Sequence, residues 1–292
     1  MRVYVSAPTV RSPSLARIEQ ALASYRPVGV ETGWSMSLAD LVVVYVIGRQ
    51  DRVSATTALL RARGQRYAVI QLVLRSTKRP STSGWRAIWD GAVATWSYLD
   101  LNAAIAEDGG VGTAGAFYHA PLGVDANVFT MPTTTDRPYV VLTTGQSALT
   151  EGVREAALAA GRVGRRVFHL GPPLRSIGAA SATGITDAEL ANLYGQCEFV
   201  CGLRRTEGFE LPAAEGLLCG ARPVLFDRPH YRTWYDGLAE FIPEGPRPGV
   251  VDDLEALFQR GARPVTDEER RMAAERFDWA RICGEFWARC LA

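Results

Sequence analysis

Short apolar runs alternate with longer amphipathic runs along this chain, and this alternation limits the possible folds more than any other feature. In the first half, strand-like runs lie at 3–7, 27–31, 41–47, 67–74 and 93–96, and helix-like runs lie at 15–24, 56–63, 85–90 and 98–107. In the second half, strand-like runs lie at 139–143, 166–170, 199–203 and 222–226, and helix-like runs lie at 151–160, 187–195, 267–276 and 280–291. Such alternation is typical of α/β domains built on parallel sheets.

Length and composition predict a globular protein of roughly two domains. The chain has 292 residues, of which 47% are hydrophobic and 22% charged, and a single core rarely organises that many residues. The longest apolar candidate, 41–47, is far shorter than the ~20 residues of a membrane span. The first residues, MRVYVSAP, indicate a strand rather than a secretion signal. We therefore expect a cytoplasmic protein.

Cysteine and histidine give little support for a metal site. The five cysteines form no Cys-x-x-Cys pair, and only three histidines occur, far apart in the sequence. Buried free thiols are the expected state. The residues are Cys197, Cys201, Cys219, Cys283 and Cys290, with His119, His169 and His230.

Two further features favour structural roles. Trp85, Trp89 and Trp96 would share one helix face as an aromatic platform, but Gly91 interrupts the helix, so we expect them in the core. His119 lies in a predicted strand and is expected to be structural.

The segment RTEGFELPAAEGLLCGARPV spans 205–224 and directly follows Arg204. It predicts a turn, a short helix and a buried strand. Pro212 favours a helix start and Gly220 a left-handed residue past its end, which predicts a helix over 211–219. Its N-terminus, preceded by a glycine-containing turn, is suited to an anion such as phosphate. Glu207 lies in that turn and Glu215 in the helix. Taken alone, such a pair would be two solvated surface charges.

The surrounding residues resemble a known family. Glu-Gly-Phe, Leu-Pro, Glu-Gly and Cys-Gly-Ala-Arg-Pro-Val resemble the donor-site signature of retaining GT-B glycosyltransferases, in particular glycosyltransferase family four. The segment 117–125, FYHAPLGVD, resembles the strand and turn that precede the interdomain linker. Phe277-Asp278-Trp279 resembles the Phe-x-Trp before the closing helix. The resemblance is strong from about residue 117 onward and only architectural before it.

This resemblance implies an α/β fold of GT-B architecture. Two Rossmann-like domains with parallel sheets would face a central cleft, and the C-terminal helix would cross back to the first domain. The predicted bounds are 1–130 for the acceptor-side domain, 131–270 for the nucleotide-sugar-binding domain and 271–292 for the closing helix. Proline and threonine clustered at 130–138 also indicate a linker.

The resemblance also implies a reaction and a set of residues. A sugar would move from a UDP- or GDP-sugar to an acceptor hydroxyl with retained configuration, without a permanently bound cofactor. Glu215 would bind the ribose, and Glu207 the transferred sugar. No Asp-x-Asp triplet occurs, so no metal is expected. The candidate catalytic residues are Glu207, Arg204 and Arg205, and the candidate donor-binding residues are Gly145, Gln146, Gly208, Phe209, Glu210, Leu211 and Glu215.

Two departures from the family pattern concern the phosphates and the sugar. Where the family has Gly-Arg followed by Lys-Gly, this chain has Gln146 and Glu151. Arg204 and Arg205 are the nearest replacements for the missing cations, unless they are an ordinary solvated pair. Glu210 replaces a usual glycine, and we expect it to alter the choice of donor sugar.

The acceptor is open. The first half lacks the family's Gly-rich loop and has Ser-Ala-Pro-Thr at 6–9, but the stretch 49–86 carries nine cations and one acid. DNA, an anionic membrane and a phosphorylated acceptor all suit such charge, and a phage-type enzyme that modifies DNA or protein is one option. Ordinary surface arginine is the alternative. The acceptor-side candidates are Ser6, Pro8, Arg49, Arg75 and Lys78.

Two other functions fit the sequence. The missing Arg and Lys suggest a nucleotide-sugar binding protein that has lost turnover, and a nucleotide-sugar epimerase or hydrolase could use the same fold. The sequence predicts no oligomeric state.

Overall fold

The computed structural model describes residues 1–6, 13–47, 50–74, 82–107, 109–110, 112–133, 136–145, 151–173, 178–205 and 208–292. Contacts divide the chain into two compact units. One unit contains Met1–Leu122 and Trp279–Ala292, and the other contains Gly123–Asp278. The sequence-based domain bounds at 130 and 270 stay a prediction.

Strands and helices alternate through most of both units. The strands are β1 (Arg2–Val5), β2 (Glu31–Thr32), β3 (Leu41–Val46), β4 (Arg66–Gln71), β5 (Thr95–Ser97), β6 (Phe117–His119), β7 (Tyr139–Thr144), β8 (Val167–Leu170), β9 (Ala180–Ala182), β10 (Cys197–Gly202), β11 (Arg222–Phe226) and β12 (Glu240–Ile242). The helices are α1 (Pro13–Ser24), α2 (Gln50–Ala62), α3 (Thr82–Trp89), α4 (Leu101–Glu107), α5 (Val153–Arg162), α6 (Asp187–Gly195), α7 (Leu211–Leu218), α8 (Pro229–Tyr235), α9 (Arg247–Arg260), α10 (Asp267–Arg276) and α11 (Trp279–Leu291).

The first unit is built on a six-stranded parallel sheet in the order β2-β1-β3-β4-β5-β6. Every residue of β3 is buried, as expected of a strand covered on both faces. The predicted strand at 27–31 is wrong for most of its length. Pro27 and Gly29 lie in a turn closed by the hydrogen bond from Val30 N to the Pro27 oxygen, 3.1 Å, and only Glu31 joins β2.

Tryptophan side chains form much of the first unit's core. Trp85, Trp89 and Trp96 are 4%, 1% and 0% exposed, which confirms the prediction that they are core residues. The Trp96 ring contacts Phe286 at 5.5 Å and Trp279 at 6.3 Å between centroids. Both partners belong to α11, so the last helix packs into the first unit.

The second unit is a six-stranded parallel sheet in the order β12-β11-β10-β7-β8-β9. The predicted helix over 211–219 is confirmed as α7, with Gly220 just past its end at φ 87°. Thr186 is the N-cap of α6, because its side chain accepts a hydrogen bond from Glu189 N while the Glu189 carboxylate accepts from Thr186 N.

A buried ion pair ties α10 to this sheet. Arg222 on β11 is 1% exposed, and its guanidinium donates to both carboxylate oxygens of Glu269 at 2.9 and 3.0 Å. Burial would raise the pKa of Glu269, but hydrogen bonds from Arg222, the Thr266 N–H and Arg263 outweigh it and lower the pKa to about 2. Removal of either partner from a bidentate pair of this kind leaves a buried charge without its counter-ion, which destabilises the fold.

Candidate functional site

The second sheet has a topological switch point between β7 and β10. From β7 the chain proceeds to β8 and β9 on one side of the sheet, and from β10 it proceeds to β11 and β12 on the other. In open α/β sheets, ligands bind beyond the carboxyl ends of the strands at such a point. The residues just beyond these ends are Gly145 after β7 and Leu203 to Arg205 after β10.

Arg204 joins the two sides of this switch point. Its Nε donates to Oε1 of Glu210 at 2.7 Å, and its Nη1 lies 3.2 Å from Oε1 of Glu151. Glu151 precedes α5 and Glu210 precedes α7, so one guanidinium bridges the segments that follow β7 and β10. The carboxylate of Glu210 raises the pKa of Arg204 despite partial burial, and Glu151 adds to the effect. This arginine is a permanent cation in the site.

Glu210 has an unusual backbone. With φ 56° and ψ 60° it caps α7 in the left-handed conformation, and it is the only non-glycine residue with positive φ in the described part of the chain. This conformation costs a side chain roughly 1–2 kcal/mol and glycine almost nothing. Tyr231 donates to Oε1 of Glu210 at 3.3 Å, and Tyr235 donates to the Glu210 carbonyl at 3.0 Å. These contacts hold the residue where a glycine would fit without strain.

Glu215 is nearly fully buried inside the second unit. It is 2% exposed, and Tyr194 on α6 donates its hydroxyl hydrogen to Oε2 of Glu215 at 2.9 Å. Tyr194 in turn packs on Phe129, with ring centroids 6.2 Å apart. The carboxylate therefore has a fixed position on α7. The predicted contact with ribose stays a prediction.

Arg205 points to different partners. Its Nη1 donates to the Gly245 carbonyl at 3.1 Å, its Nη2 lies 3.4 Å from Oε1 of Glu155, and its guanidinium lies over the Phe226 ring at 5.3 Å. Arg247 also donates to Oε1 of Glu155, at 3.1 Å. These contacts join the loop after β10 to α5 and α9. Arg205 is therefore held in the unit's framework, and Arg204 is the member of the pair that lies at the switch point.

The charges around the switch point balance. Arg228 pairs with Glu244, Nη2 to Oε2, at 2.6 Å, and it completes a set of four arginines and four glutamates. Among the described residues, the charges of this cluster, where phosphate is expected to bind, therefore sum to zero. Its members are Arg204, Arg205, Arg228, Arg247, Glu151, Glu155, Glu210 and Glu244.

Two glycines allow the close packing of this cluster. Gly145 has φ 136°, and a Cβ there would overlap Oε2 of Glu151. A Cβ on Gly208 would lie 2.7 Å from Cδ of Arg204. A side chain at either position would therefore require Glu151 or Arg204 to move.

A buried histidine lies beside the ends of β7 and β8. His169 Nδ1 pairs with the Thr143 hydroxyl at 3.1 Å, and its Nε2 has no hydrogen-bond partner among the residues described. Burial lowers the pKa of His169, opposed by the Glu151 carboxylate. The ring is therefore neutral at pH 7.

The structure brings several predicted donor residues together. Gly145 and Arg204 lie against Glu151, and Gly208 and Glu210 lie against Arg204. Phe209 is fixed through its carbonyl by Tyr235 at 3.1 Å. Leu211 begins α7 and is buried. Glu207 and Gln146 lie outside the described residues, as do Pro8, Arg49, Arg75 and Lys78.

The first unit gives the acceptor-side predictions little structural context. Ser6 follows β1, and its hydroxyl accepts from Tyr45 N at 3.3 Å. Within the basic stretch, Arg61 donates to the Ala87 carbonyl at 2.6 Å and Arg66 to the Cys290 carbonyl at 2.9 Å. These two cations serve the unit's own packing. His119 pairs through Nε2 with the Tyr98 carbonyl at 3.3 Å, in agreement with a structural role.

Sequence reasoning missed Glu155, Tyr194, Tyr231 and Tyr235. Each acts on a predicted residue from a distant position in the chain, and the spacing of Tyr231 and Tyr235 by one helical turn was the only local signal. Among the described residues no group of His, Cys, Asp or Glu is arranged to hold a metal ion. No helix in the described ranges is long and apolar enough to cross a membrane.

No protein-family model matches the sequence. The chain is 31% identical over 117 residues to MMP alpha-(1->4)-mannosyltransferase of Mycolicibacterium hassiacum. It is 32% identical over 111 residues to GDP-mannose:cellobiosyl-diphosphopolyprenol alpha-mannosyltransferase of Komagataeibacter xylinus. Each match covers 36% of this chain but only 27% and 28% of the relatives' lengths.

Solved structures match nearly the whole chain. HepE of Anabaena, in complex with UDP and glucose, has a TM-score of 0.72 at 14% identity and covers 99% of this chain and 98% of its own. Sucrose-phosphate synthase of Thermosynechococcus elongatus has a TM-score of 0.76 at 11% identity, with coverages of 99% and 98%. The fold is therefore GT-B, which confirms the predicted fold class. The pairing of Glu207 with Glu215 stays a prediction.

Proposed function

We propose that this chain, a GT-B relative of known glycosyltransferases, transfers a sugar from a nucleoside-diphosphate sugar to an acceptor hydroxyl. The observation that carries the proposal is Arg204, a partly exposed cation that bridges the ends of β7 and β10 at the switch point. Both curated relatives are named mannosyltransferases, and HepE binds UDP and glucose. UDP-glucose and GDP-mannose are therefore the first donors to test.

In this proposal the donor diphosphate lies beyond β7 and β10, next to Arg204. As the bond to the sugar breaks, negative charge grows on the leaving diphosphate, and a fixed cation stabilises the transition state more than the ground state. The N-terminus of α7 adds partial positive charge at the same place. Glu215 would bind the ribose, and Glu207 and Glu210 the transferred sugar.

We further propose retention of configuration without a metal ion. The sequence has no Asp-x-Asp triplet, and Arg204 with the start of α7 offers the positive charge that a metal would otherwise bring. Attack from the face that the diphosphate leaves makes that diphosphate the base for the acceptor hydroxyl. Transfer that continues at full rate in excess chelator supports this part, and loss of turnover restored by Mg²⁺ or Mn²⁺ overturns it.

The proposal for the acceptor rests only on the positive charge of the stretch 49–86. DNA, an anionic lipid surface and a phosphorylated acceptor remain the options, although Arg61 and Arg66 serve internal packing. Binding to duplex DNA that falls steeply with salt would favour nucleic acid. Salt-independent transfer to a small neutral acceptor would exclude all three.

A second candidate function is nucleotide-sugar binding without turnover. It is favoured by one observation, namely that Glu151 and Glu210 already pair with Arg204 and leave the cluster without net positive charge. A protein of this kind would bind the donor and keep it intact.

Incubation with UDP-glucose and GDP-mannose, followed by NMR of the sugar and assay of free nucleotide, separates these functions. Slow nucleotide release with an α-configured product supports a retaining transferase, with Arg204→Ala as the inactive control. Binding without release identifies the non-catalytic protein, and an isomerised nucleotide sugar identifies an epimerase. Either of the last two outcomes overturns the transferase proposal.

A further inference from the structure

Glu151 places a negative charge where a donor phosphate would lie. Its Oε1 lies 3.2 Å from Nη1 of Arg204, and its Oε2 lies so close to Gly145 that a Cβ there would overlap it. The side chain is 14% exposed. A carboxylate therefore lies at the carboxyl end of β7, on the same guanidinium that is proposed to bind the diphosphate.

We infer that Glu151 makes the site discriminate against the free nucleoside diphosphate in favour of the nucleoside-diphosphate sugar. The inference rests on the proposed function. It concerns the choice between substrate and product at the same phosphate site.

The argument starts from the charge of the two ligands. In the sugar nucleotide both phosphates are esterified, whereas the terminal phosphate of the free diphosphate is a monoester whose second pKa is about 6. At neutral pH the product therefore carries about one more negative charge than the substrate. A carboxylate a few ångströms away repels the product more strongly, and partial burial weakens the screening of that repulsion.

The contacts of Arg204 also favour the sugar nucleotide over the free diphosphate. A ligand that binds this guanidinium must share it with Glu151 and with Glu210, whose Oε1 lies 2.7 Å from Nε. Full separation of both carboxylates from the arginine would leave two uncompensated acids near an incoming anion. A ligand of lower charge is accepted more readily, so the site favours the sugar nucleotide and releases the diphosphate after transfer.

Glu151 is a better position to test than Glu210. Glu210 also caps α7 with a left-handed backbone and is held by Tyr231 and Tyr235, so its substitution alters loop geometry as well as charge. Glu151 lies in the segment before Gly152, the N-cap of α5. Glu151→Gln changes its charge while keeping its size.

The test is a titration of the full chain with a matched pair, UDP and UDP-glucose or GDP and GDP-mannose, by calorimetry at pH 7.5. For Glu151→Gln we expect binding of the diphosphate to tighten about tenfold and binding of the sugar nucleotide to tighten by no more than about threefold. The matched control is Glu240→Gln, which removes a carboxylate paired with Arg260 outside the cluster at the switch point. Its ratio of the two dissociation constants should equal that of the wild type.

A pH series separates charge discrimination from a structural effect. Below pH ~6 the terminal phosphate gains a proton, so the wild-type preference should decrease toward that of Glu151→Gln. If Glu151→Gln is unstable, Glu151→Ala is measured in the same way. A ratio of dissociation constants that is unchanged by either variant overturns the inference and leaves the proposed function intact. Absence of binding of both ligands to the wild type overturns the proposed function as well.

Discussion

Arg204 and Glu210 form an ion pair of 2.7 Å between Nε and Oε1, and the acid of this pair has a left-handed backbone at the first turn of α7. The cation proposed to stabilise the leaving group is thus tied to the residue that positions the helix N-terminus. A change at either residue should alter both the charge and the shape of the donor site.

Alanine at Arg204 and at Arg205 should have different effects. Arg204→Ala should lower kcat about 100-fold, because it removes the cation nearest the developing charge. Arg205→Ala should mainly lower the free energy of unfolding, by roughly 2 kcal/mol, because the Gly245 carbonyl and Glu155 lose a partner. Steady-state kinetics and urea denaturation measure the two effects. Unchanged kcat in Arg204→Ala would contradict the role proposed for it.

Glu210→Gly should change the preferred donor sugar. Glycine relieves the strain of the left-handed backbone, which offsets part of the loss of the Arg204 and Tyr231 contacts. The pocket beside the transferred sugar gains space and loses a charge. Relative kcat/KM values over a panel of UDP- and GDP-sugars report the change. Glu210→Gln, which keeps the shape, is the control, and an unaltered profile in Glu210→Gly would count against a role in donor choice.

Tyr194→Phe should weaken donor binding. The variant removes the hydroxyl that donates to Oε2 of Glu215 at 2.9 Å, so the carboxylate loses one of the contacts that orient it. If Glu215 binds the ribose, KM for the donor should rise about tenfold with little change in kcat. Tyr139→Phe, which removes a hydroxyl paired with Arg166 on the surface, is the matched control. An unchanged KM would show that Glu215 does not bind the donor.

Stability should fall in acid through Glu269. Its pKa is about 2 in the folded protein and 4.5 ordinarily. Because the folded value is the lower one, the stabilisation is complete above pH ~4.5 and is lost as pH falls toward 2, and it amounts to about 3 kcal/mol. Urea denaturation between pH 7 and 2.5 should show this slope, and Glu269→Gln should lack it.

Removal of the same carboxylate tests the buried pair at neutral pH. Glu269→Ala leaves Arg222 buried without its ion partner and should destabilise the protein by about 3–5 kcal/mol. Glu268→Ala, next in sequence but exposed and paired with Arg271, should have a small effect. Equal effects of the two variants would show that the buried pair contributes nothing special.

The fold was largely predictable because its determinants are local. Alternating strands and helices, the proline and glycine that delimit α7, and the N-cap at Thr186 all act over a few residues. The strand at 27–31 failed because turn chemistry at Pro27 and Gly29 overrides its β-favouring residues. The weakly patterned region that contains α8, β12 and α9 carried no prediction.

The candidate site was predictable only in part. Departures at Glu151 and Glu210 were visible in the sequence, but their shared partner was not, because the Arg204 guanidinium reaches Glu151 across more than fifty residues. Sequence also treated Arg204 and Arg205 as equivalent. The two arginines differ in which carboxylates their guanidinium groups contact, and tertiary packing alone determines those contacts.

The most direct test of the account is ligand-induced stabilisation of the wild type and of Arg204→Ala. Thermal midpoints are measured with UDP, GDP, UDP-glucose and GDP-mannose, since a ligand that binds the folded state raises the midpoint with its concentration. We predict that at least one sugar nucleotide raises the wild-type midpoint and that Arg204→Ala loses most of this rise at the same concentration. Equal rises in the two proteins, or no rise with any nucleotide, would contradict a donor site centred on Arg204.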